Sequence, residues 1–313
     1  MAPSLVGRSL LTLNDYSREE ITTLLDIADS VKREKSDGRR LRRFEGYTIA
    51  LLFEKRSTRT RCAFETAIAE EGGYPAFLSN TDIHLGEKET IEDTARVLGR
   101  MFDAIQFRGY SQQTAEALAR WSGVPVYNGL TDSYHPTQVL ADLMTIREVF
   151  GSLAGRTVAF VGDGRNNVAR SLMLGCAKLG VAFTVVAPKA LHPDAAFTTE
   201  ASEAAEVSGV PIVVTDDLSG VEHADVVYTD VWISMGEEAR ERERVEVLSP
   251  YRVDDALIAR AGKDSLFLHC LPAVRGNEVT TSVIDGPNSR VWDQAENRKH
   301  TIKAVMLATL GLL

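Results

Sequence analysis

Two kinds of hydrophobic pattern alternate along the chain. Short, almost wholly apolar runs, such as residues 48–53 and 157–161, are typical of strands that are buried on both faces. Between these runs, apolar residues recur every three or four positions, as they do in helices with one buried face. This alternation predicts an α/β protein in which helices flank parallel sheets.

A glycine-bounded segment at residues 151–155 separates two such series. The length of 313 residues also suits two domains of about 150 residues each. We therefore predict two doubly wound domains, covering residues 1–150 and 151–292. The apolar helix at 293–313 follows no strand of its own, so we expect it to pack back onto the first domain.

Composition and charge narrow the possible functions. The chain has a net charge of −9 with 25% charged residues, which argues against a nucleic-acid partner or an anionic membrane surface. Its three cysteines, Cys62, Cys176 and Cys270, are too widely spaced to suggest a disulfide framework or a zinc cluster. No apolar run reaches membrane length and the N-terminus lacks signal-peptide features, so we expect a cytoplasmic protein.

The first candidate for chemistry is the stretch Ser57-Thr58-Arg59-Thr60-Arg61, directly after the strand at 48–53. Hydroxyl residues suit the start of a helix, but arginines in the first turn oppose the helix dipole. An anion bound there would remove the conflict, because free N–H groups, hydroxyls and guanidinium groups would converge on it. The alternative is an ordinary capped helix with solvated arginines. The first helix of the chain, by contrast, offers only structural capping, for which Asn14 or Asp15 is predicted.

Other polar residues occur where strands end or helices begin. Arg108 closes a predicted strand, and His135-Pro136-Thr137-Gln138 opens a helix with Pro136 at its first position. Asp230 begins the segment Asp230 to Gly236, and His269-Cys270-Leu271-Pro272 ends a further strand. Strand ends are where α/β proteins place their sites. Each segment alone also has a plain reading, such as a capped helix with an incidental histidine or a buried core cysteine.

A nicotinamide dinucleotide site is disfavoured. The turn at residues 162–167 lacks the third glycine of the usual fingerprint, and the next strand ends in Ala187-Pro188 where an acid would hold the ribose. We therefore expect no cofactor.

Four separated motifs, taken together, resemble the aspartate/ornithine carbamoyltransferase family. They are residues 57–61, 135–138, 230–236 and 269–272, in this order and over nearly the whole chain. The Ser234-Met235-Gly236 and His269-to-Pro272 elements look like the ornithine branch. The aspartate branch typically carries a different, proline-arginine motif near Cys270.

The resemblance implies a reaction and an assembly. Carbamoyl phosphate and L-ornithine would give L-citrulline and phosphate, with no metal and no covalent enzyme intermediate. Family members are trimers, or assemblies of trimers, whose active sites lie between subunits. The loop that contains His84 matches the segment lent by a neighbour. Lys88 stays open, because the aspartate branch uses a lysine nearby and the ornithine branch often does not.

The resemblance also implies roles in binding carbamoyl phosphate. The phosphate cradle corresponds to Ser57, Thr58, Arg59 and Thr60, with Arg108 as a second clamp. The groups that would polarise the carbonyl are Thr58, Arg108, His135 and Arg298. Gln138 and the backbone carbonyl of Leu271 would hold the carbamoyl amide, and we expect a cis peptide bond between Leu271 and Pro272.

The amino-acid substrate has its own set of implied ligands. These are Asn167, Asp230, Ser234 and Met235. Asp230 suits cationic amines, while Asn167 and the backbone at Met235 suit a carboxylate. Cys270 would lie beside the attacking nitrogen and tune its position and charge. The implied catalytic residues are Arg108, His135, Cys270 and Arg298.

Two other functions remain open at this point. One is a relative with a different acceptor, such as putrescine, which residue 167 and the segment at 234–236 would distinguish from an amino acid. The other is a nucleotide-binding oxidoreductase or a non-catalytic binding protein. An anabolic role cannot be separated from a catabolic one by sequence.

Overall fold

The computed structural model describes residues 4–79, 89–233 and 241–313. The chain forms two compact units. The first comprises residues 1–144 together with 296–313, and the second comprises residues 145–295.

The first unit contains a four-stranded parallel sheet in the order β2-β1-β3-β4. Its strands are β1 (Thr48–Phe53), β2 (Tyr74–Ser79), β3 (Ala104–Arg108) and β4 (Val126–Leu130). β1 and β3 lie centrally and are almost wholly buried. Because all pairs are parallel, the carboxyl ends of the strands lie along one edge, where ligands bind in open α/β sheets.

One helix precedes the strands of this sheet, and one helix follows each of them. They are α1 (Arg18–Ser36), α2 (Thr58–Glu70), α3 (Ile91–Met101), α4 (Gln112–Ser122) and α5 (Pro136–Phe150). The cap predicted for α1 was wrong. Ser17 caps it, since its hydroxyl accepts from the N–H of Glu20 while the carboxylate of Glu20 accepts from the N–H of Ser17. Asn14 and Asp15 belong instead to a short 3-10 turn.

The second unit contains a five-stranded parallel sheet in the order β7-β6-β5-β8-β9. Its strands are β5 (Thr157–Val161), β6 (Ala182–Val186), β7 (Ile212–Thr215), β8 (Val226–Thr229) and β9 (Leu266–His269). Its helices are α6 (Asn167–Leu179), α7 (Ala195–Ser208), α8 (Glu241–Leu248), α9 (Asp255–Ala261) and α10 (Thr281–Ile284). The central switch of strand order, between β5 and β8, places candidate residues at the sheet's carboxyl edge.

The last helix, α11 (Val291–Leu310), contributes its residues from 296 onward to the first unit. The hydroxyls of Tyr127 and Thr309 lie 2.7 Å apart, and Nζ of Lys303 lies 3.1 Å from carboxylate oxygens of both Glu70 and Glu71. The predicted fold class, two parallel sheets flanked by helices with the last helix packed on the first domain, is confirmed. No helix in the described parts of the chain is both long enough and apolar enough to span a bilayer.

His300 makes the stability of α11 depend on pH. Its Nε2 lies 3.3 Å from Oε1 of Glu296, its Nδ1 is buried, and burial lowers its pKa to about 4. An unfolded histidine titrates near 6.5, so the folded state binds fewer protons below that pH. This contribution to stability is complete above pH 6.5 and is lost as the pH falls from 6.5 towards 4, by about 1 kcal/mol per pH unit.

A His300→Asn variant is therefore expected to unfold with a shallower dependence on pH between 4 and 6.5. The measurement is urea unfolding at half-unit steps across this range. His223 is exposed and adopts a φ of 63°, which asparagine tolerates, so His223→Asn is a matched control that should keep the wild-type slope. Equal slopes for His300→Asn and wild type would contradict the assignment.

Candidate active site

The start of α2 forms the first part of the candidate site. Ser57 caps the helix, its Oγ accepting from the N–H of Thr60 at 3.2 Å. The first turn of α2 contains no acidic residue. Its N–H groups and the positive end of its dipole therefore face the carboxyl edge of the sheet without a carboxylate of their own helix to balance them. This is an arrangement that favours an anion.

The hydroxyl of Thr60 joins two arginines from distant parts of the first unit. Thr60 Oγ1 accepts from Nη1 of Arg108 at 3.1 Å and from Nη2 of Arg298 at 2.8 Å. Arg108 also approaches the carbonyl of Gly129 at 3.4 Å. All three polar side chains are buried. The strand end, the helix start and α11 thus converge at one point, as expected from the predicted roles of these residues.

His135 lies close to several positive charges. It is buried at the start of α5, with Nδ1 3.4 Å from Oγ1 of Thr137. Burial, together with the positive charges of Arg298, Arg108 and Arg59, holds its pKa well below the usual 6.5. The imidazole is therefore neutral at pH 7, and the surroundings are strongly positive. A neutral ring can still donate one hydrogen bond to a carbonyl oxygen.

The remaining candidates in the first unit lie at the starts of α2 and α5. Ser57, Thr58 and Arg59 flank Thr60 at the start of α2, and Thr58 is exposed. Gln138 lies in the first turn of α5 and is fully buried. Its Nε2 donates to Oδ1 of Asp142 at 2.8 Å.

In the second unit, Asp230 follows β8 and is the centre of a compact polar group. Its carboxylate accepts from the backbone N–H of Val231 at 2.8 Å, from Nδ2 of Asn166 at 3.1 Å and from Sγ of Cys270 at 2.9 Å. Burial raises the pKa of Asp230 despite the opposing influence of His269 and these donors. A buried carboxylate is costly unless a positive group compensates it, so this position suits a cationic ligand.

Sequence reasoning chose Asn167 and missed its neighbour. Asn166 caps α6, its Oδ1 accepting from the N–H of Ala169, while its Nδ2 reaches Asp230. Asn167 is the half-buried first residue of α6. The capping pattern could have identified Asn166, because asparagine directly before an apolar-periodic segment is a strong helix-start signal.

Leu271 is held by residues that the motifs did not single out. Its N–H donates to Nδ1 of His269 at 2.8 Å, which leaves the ring proton on Nε2, 3.3 Å from Oε1 of the buried Glu278. The backbone N–H of His269 donates to Oε1 of Gln294 at 3.0 Å. Leu271 has a φ of 60°, rare for a leucine and typical of residues fixed at functional sites. The predicted cis bond between Leu271 and Pro272 is confirmed.

The side chains of Asp230, His269 and Cys270 are close enough to be considered as metal ligands, since their potential ligand atoms lie within 4.8 Å of one another. Hydrogen bonds already engage them, however. Cys270 donates to Asp230, and the ring of His269 lies between the N–H of Leu271 and Glu278. The trio therefore needs no metal to account for its proximity.

The glycine-rich turn after β5 carries a carboxylate that matters for the dinucleotide alternative. Oδ2 of Asp163 lies 3.0 Å from Nη2 of Arg165 and 3.0 Å from Nη1 of Arg244, which is buried in α8. In dinucleotide-binding folds this turn faces a pyrophosphate. The two arginines balance the charge of Asp163, so the case against a dinucleotide rests on the missing third glycine and on the absence of an acid after the next strand.

Three predicted site residues, His84, Ser234 and Met235, lie outside the described residues. Lys88, whose role the sequence left open, lies outside them as well.

Gly129 gives a direct test of the Thr60 geometry. A Cβ at this position would lie 2.6 Å from Nε2 of the buried Gln106 and 3.0 Å from Cγ2 of Thr60. The added methyl group of Gly129→Ala should displace Thr60 and the two arginines that donate to its hydroxyl. It should therefore lower kcat/KM by about tenfold. Adding Thr60→Ser removes the methyl group but keeps the hydroxyl, so the double variant should recover part of the loss. No effect of Gly129→Ala on steady-state kinetics would argue against the shared hydroxyl as an element of the site.

Comparisons with known proteins identify relatives over nearly the whole chain. Two family models match the chain: "Aspartate/ornithine carbamoyltransferase, carbamoyl-P binding domain" at residues 8–148 and "Aspartate/ornithine carbamoyltransferase, Asp/Orn binding domain" at residues 154–309. The chain is 62% identical to the ornithine carbamoyltransferase of Caldanaerobacter subterraneus subsp. tengcongensis, over 99% of this chain and 100% of the relative. It is 60% identical to that of Thermotoga maritima, with the same coverage.

A solved structure is similarly close. The ornithine carbamoyltransferase from Pyrococcus furiosus superposes with a TM-score of 0.96 at 48% identity, covering 99% of each chain.

Proposed function

This chain belongs to the aspartate/ornithine carbamoyltransferase family, and on that premise we propose how its residues carry out carbamoyl transfer. The enzyme transfers the carbamoyl group of carbamoyl phosphate to the side-chain amine of L-ornithine, giving L-citrulline and phosphate. The observation that carries the proposal is the convergence of Arg108 and Arg298 on the hydroxyl of Thr60, at the start of a helix whose first turn lacks acidic residues.

We assign one substrate to each domain. Residues 1–150 with 293–313 bind carbamoyl phosphate, and residues 151–292 bind ornithine. The family models, which separate a carbamoyl-phosphate part at 8–148 from an amino-acid part at 154–309, support this division. The candidate residues also sort in this way, with the arginine-rich group in the first unit and the buried carboxylate in the second.

The phosphate is held by the start of α2. Ser57, Thr58, Arg59 and Thr60 supply hydroxyls, backbone N–H groups and a guanidinium group, and Arg108 supplies a second clamp. Charge-assisted hydrogen bonds from arginine to phosphate oxygens are the strongest kind available here. The same contacts stabilise phosphate as the leaving group, because its negative charge grows as the C–O bond breaks.

The carbamoyl carbonyl is polarised by donors that are already in place. Arg108, Arg298, His135 and the hydroxyl of Thr58 surround the oxygen on which charge develops during attack. His135 acts in its neutral form, as its lowered pKa requires, and donates a hydrogen bond without gaining a proton. Gln138 and the carbonyl of Leu271 accept from the carbamoyl amide. Preorganised donors of this type usually supply the largest single catalytic contribution.

Ornithine is bound so that its side-chain amine can attack as a neutral nucleophile. A free amine of this kind has a pKa near 10.4, so deprotonation at pH 7 costs about 4–5 kcal/mol. As the C–N bond forms and the C–O bond to phosphate breaks, the amine proton leaves and the departing phosphate is its natural acceptor. Asp230 binds cationic nitrogen, and Asn167 with Ser234 and Met235 binds the rest of the amino acid.

Cys270 acts on charge and position. Its thiol donates to Asp230 at 2.9 Å, so the carboxylate orients it. No cofactor or metal takes part in this scheme. The enzyme is proposed to be cytoplasmic and to act on small molecules, without nucleic acid or membrane as partners.

The assembly is proposed to be a homotrimer or a larger arrangement of trimers. In this assembly His84 from a neighbouring subunit completes the carbamoyl-phosphate site. The measurement is light scattering of the purified enzyme, combined with activity in mixtures of His84→Ala and Arg108→Met subunits. Recovery of activity on mixing would support a shared site. A mixture that is as inactive as the two separate variants would oppose it.

The substrate is tested by direct product analysis. Citrulline formation and phosphate release are measured with carbamoyl phosphate and each of ornithine, putrescine and aspartate. The expected result is turnover with ornithine alone, with citrulline as the product. Turnover with putrescine alone would contradict the assignment of the amino-acid ligands, and no turnover with any amine would overturn the mechanism.

A further inference from the structure

Helix α5 contains a buried carboxylate that the reaction scheme does not use. Asp142 and Gln138 are both fully buried and lie one turn apart, and the chain is buried continuously from 135 to 146. Nε2 of Gln138 donates to Oδ1 of Asp142 at 2.8 Å. A buried aspartate in the interior of a helix is uncommon and is costly to keep without a purpose.

This contact fixes which way the amide of Gln138 points. The amide nitrogen of Gln138 faces Oδ1 of Asp142, so the carboxyl oxygen is the acceptor and the NH2 of the amide is the donor. The flipped amide would place Oε1 against Oδ1, where two partial negative charges repel. Asp142 therefore determines that Oε1 lies on the opposite side of the amide.

Oε1 of Gln138 is buried and accepts no hydrogen bond from any residue that the structure describes. Buried acceptors are nearly always satisfied, and one left unpaired is destabilising. A carbamoyl group offers the missing partner, because its NH2 carries two donors and no acceptor. The unpaired oxygen and the substrate amide are thus complementary.

We propose that Asp142 is a positioning residue for carbamoyl phosphate, which acts by holding the amide of Gln138 with its oxygen towards the carbamoyl NH2. This inference rests on the proposed function, since it takes Gln138 as the ligand of that group. Asp142 touches no substrate. It makes the site selective for an amide over a methyl group of the same size, because a flipped amide would present NH2 to NH2.

Two stable analogues measure this selectivity. Phosphonoacetamide carries the amide, and 2-oxopropylphosphonate carries a methyl group in its place, with the phosphonate and carbonyl unchanged. Calorimetric titration of the wild-type enzyme is expected to show about tenfold tighter binding of phosphonoacetamide, in keeping with one buried hydrogen bond. Asp142→Leu should reduce this preference to twofold or less while inorganic phosphate binds as before.

A double-mutant cycle separates action through Gln138 from a general effect on the helix. Gln138→Leu should lose the preference, and adding Asp142→Leu should change it no further. Met144→Leu, a buried and volume-conserving change on the same helix, should keep the full tenfold preference. If Asp142→Leu does not fold, Asp142→Asn replaces it. Asparagine presents its oxygen in only one of two orientations, so the preference should fall to about threefold.

The outcomes distinguish the proposed role of Gln138 from that of Asp142. If the wild-type enzyme and Gln138→Leu bind the analogues with the same ratio, the proposed role of Gln138 itself fails. If Gln138→Leu loses the preference and the Asp142 variants keep it, only the positioning role is overturned. Loss of phosphate binding together with the preference would assign Asp142 a structural role and would also overturn it.

Discussion

Replacing Arg108 with methionine is expected to lower kcat/KM for carbamoyl phosphate by about a thousandfold. The guanidinium group is buried at the end of β3 and donates to the hydroxyl of Thr60. The same hydroxyl accepts a hydrogen bond from Arg298. In the proposed mechanism Arg108 contacts both the phosphate and the carbonyl oxygen, where negative charge increases during the reaction. Loss of a single preorganised donor costs about a hundredfold to a thousandfold in rate, and Arg108 supplies more than one.

The division of this loss between kcat and KM is also predictable. The contact with phosphate exists before and during the reaction, so its loss raises KM. The contact with the developing oxyanion exists only in the transition state, so its loss lowers kcat. Both parameters should change. Steady-state kinetics with saturating ornithine and varied carbamoyl phosphate give the two values directly.

A matched control for this substitution is Arg96→Met. Arg96 lies on α3, its side chain is 46% exposed, and its ion pairs are with neighbours on the same helix. Exposed pairs of this kind contribute little, so activity should stay within twofold of wild type. A loss of less than tenfold for Arg108→Met, in protein shown by circular dichroism to be folded, would contradict the proposed role.

Replacing Asp230 with asparagine is expected to raise the KM for ornithine by several hundredfold. The carboxylate is buried, and its raised pKa shows that the apoprotein compensates its charge incompletely. A cationic substrate supplies that compensation, and truncating one partner of a buried charge pair typically costs about 2–5 kcal/mol. The KM for carbamoyl phosphate should change little, because its proposed ligands lie in the first unit.

The same variant carries a prediction about pH. Since the pKa of Asp230 is raised, wild-type affinity for ornithine should fall as the carboxylate is protonated, at a pH above the usual aspartate range. The contribution of Asp230 to folding stability changes with pH in the opposite direction. A raised carboxyl pKa means that folding is favoured most below the unfolded pKa and loses free energy as the pH rises through the folded pKa. Asp230→Asn is therefore expected to melt at no lower temperature than wild type at pH 7.

Asp285→Asn serves as the control for Asp230. Asp285 is 46% exposed and pairs with Arg275 near the surface of the second unit. Its loss should leave both KM values and the melting temperature close to wild type. An Asp230→Asn enzyme with an unchanged KM for ornithine would remove Asp230 from the binding site, whatever its effect on stability.

Local physical chemistry explains why much of the fold could be predicted. The strands predicted at residues 48–53 and 157–161 have those bounds in the structure. Both segments are almost wholly apolar, as strands buried on both faces of a parallel sheet are. The cap of α1 was misplaced because several residues before that helix can cap it, and only the reciprocal bonds of Ser17 and Glu20 decide between them.

Neighbouring residues along the chain specify the alternation of strands and helices, the two parallel sheets and the contiguous group at residues 57–60. The distant side chains that meet at the site are brought together only when the chain folds. Arg298 reaches Thr60 across 238 positions, and His269 meets Glu278 in a fully buried pair. Asn166, which the sequence did not single out, donates to Asp230 from the position just before α6. Such contacts depend on strand order and on the direction of individual side chains, which hydrophobic periodicity does not specify.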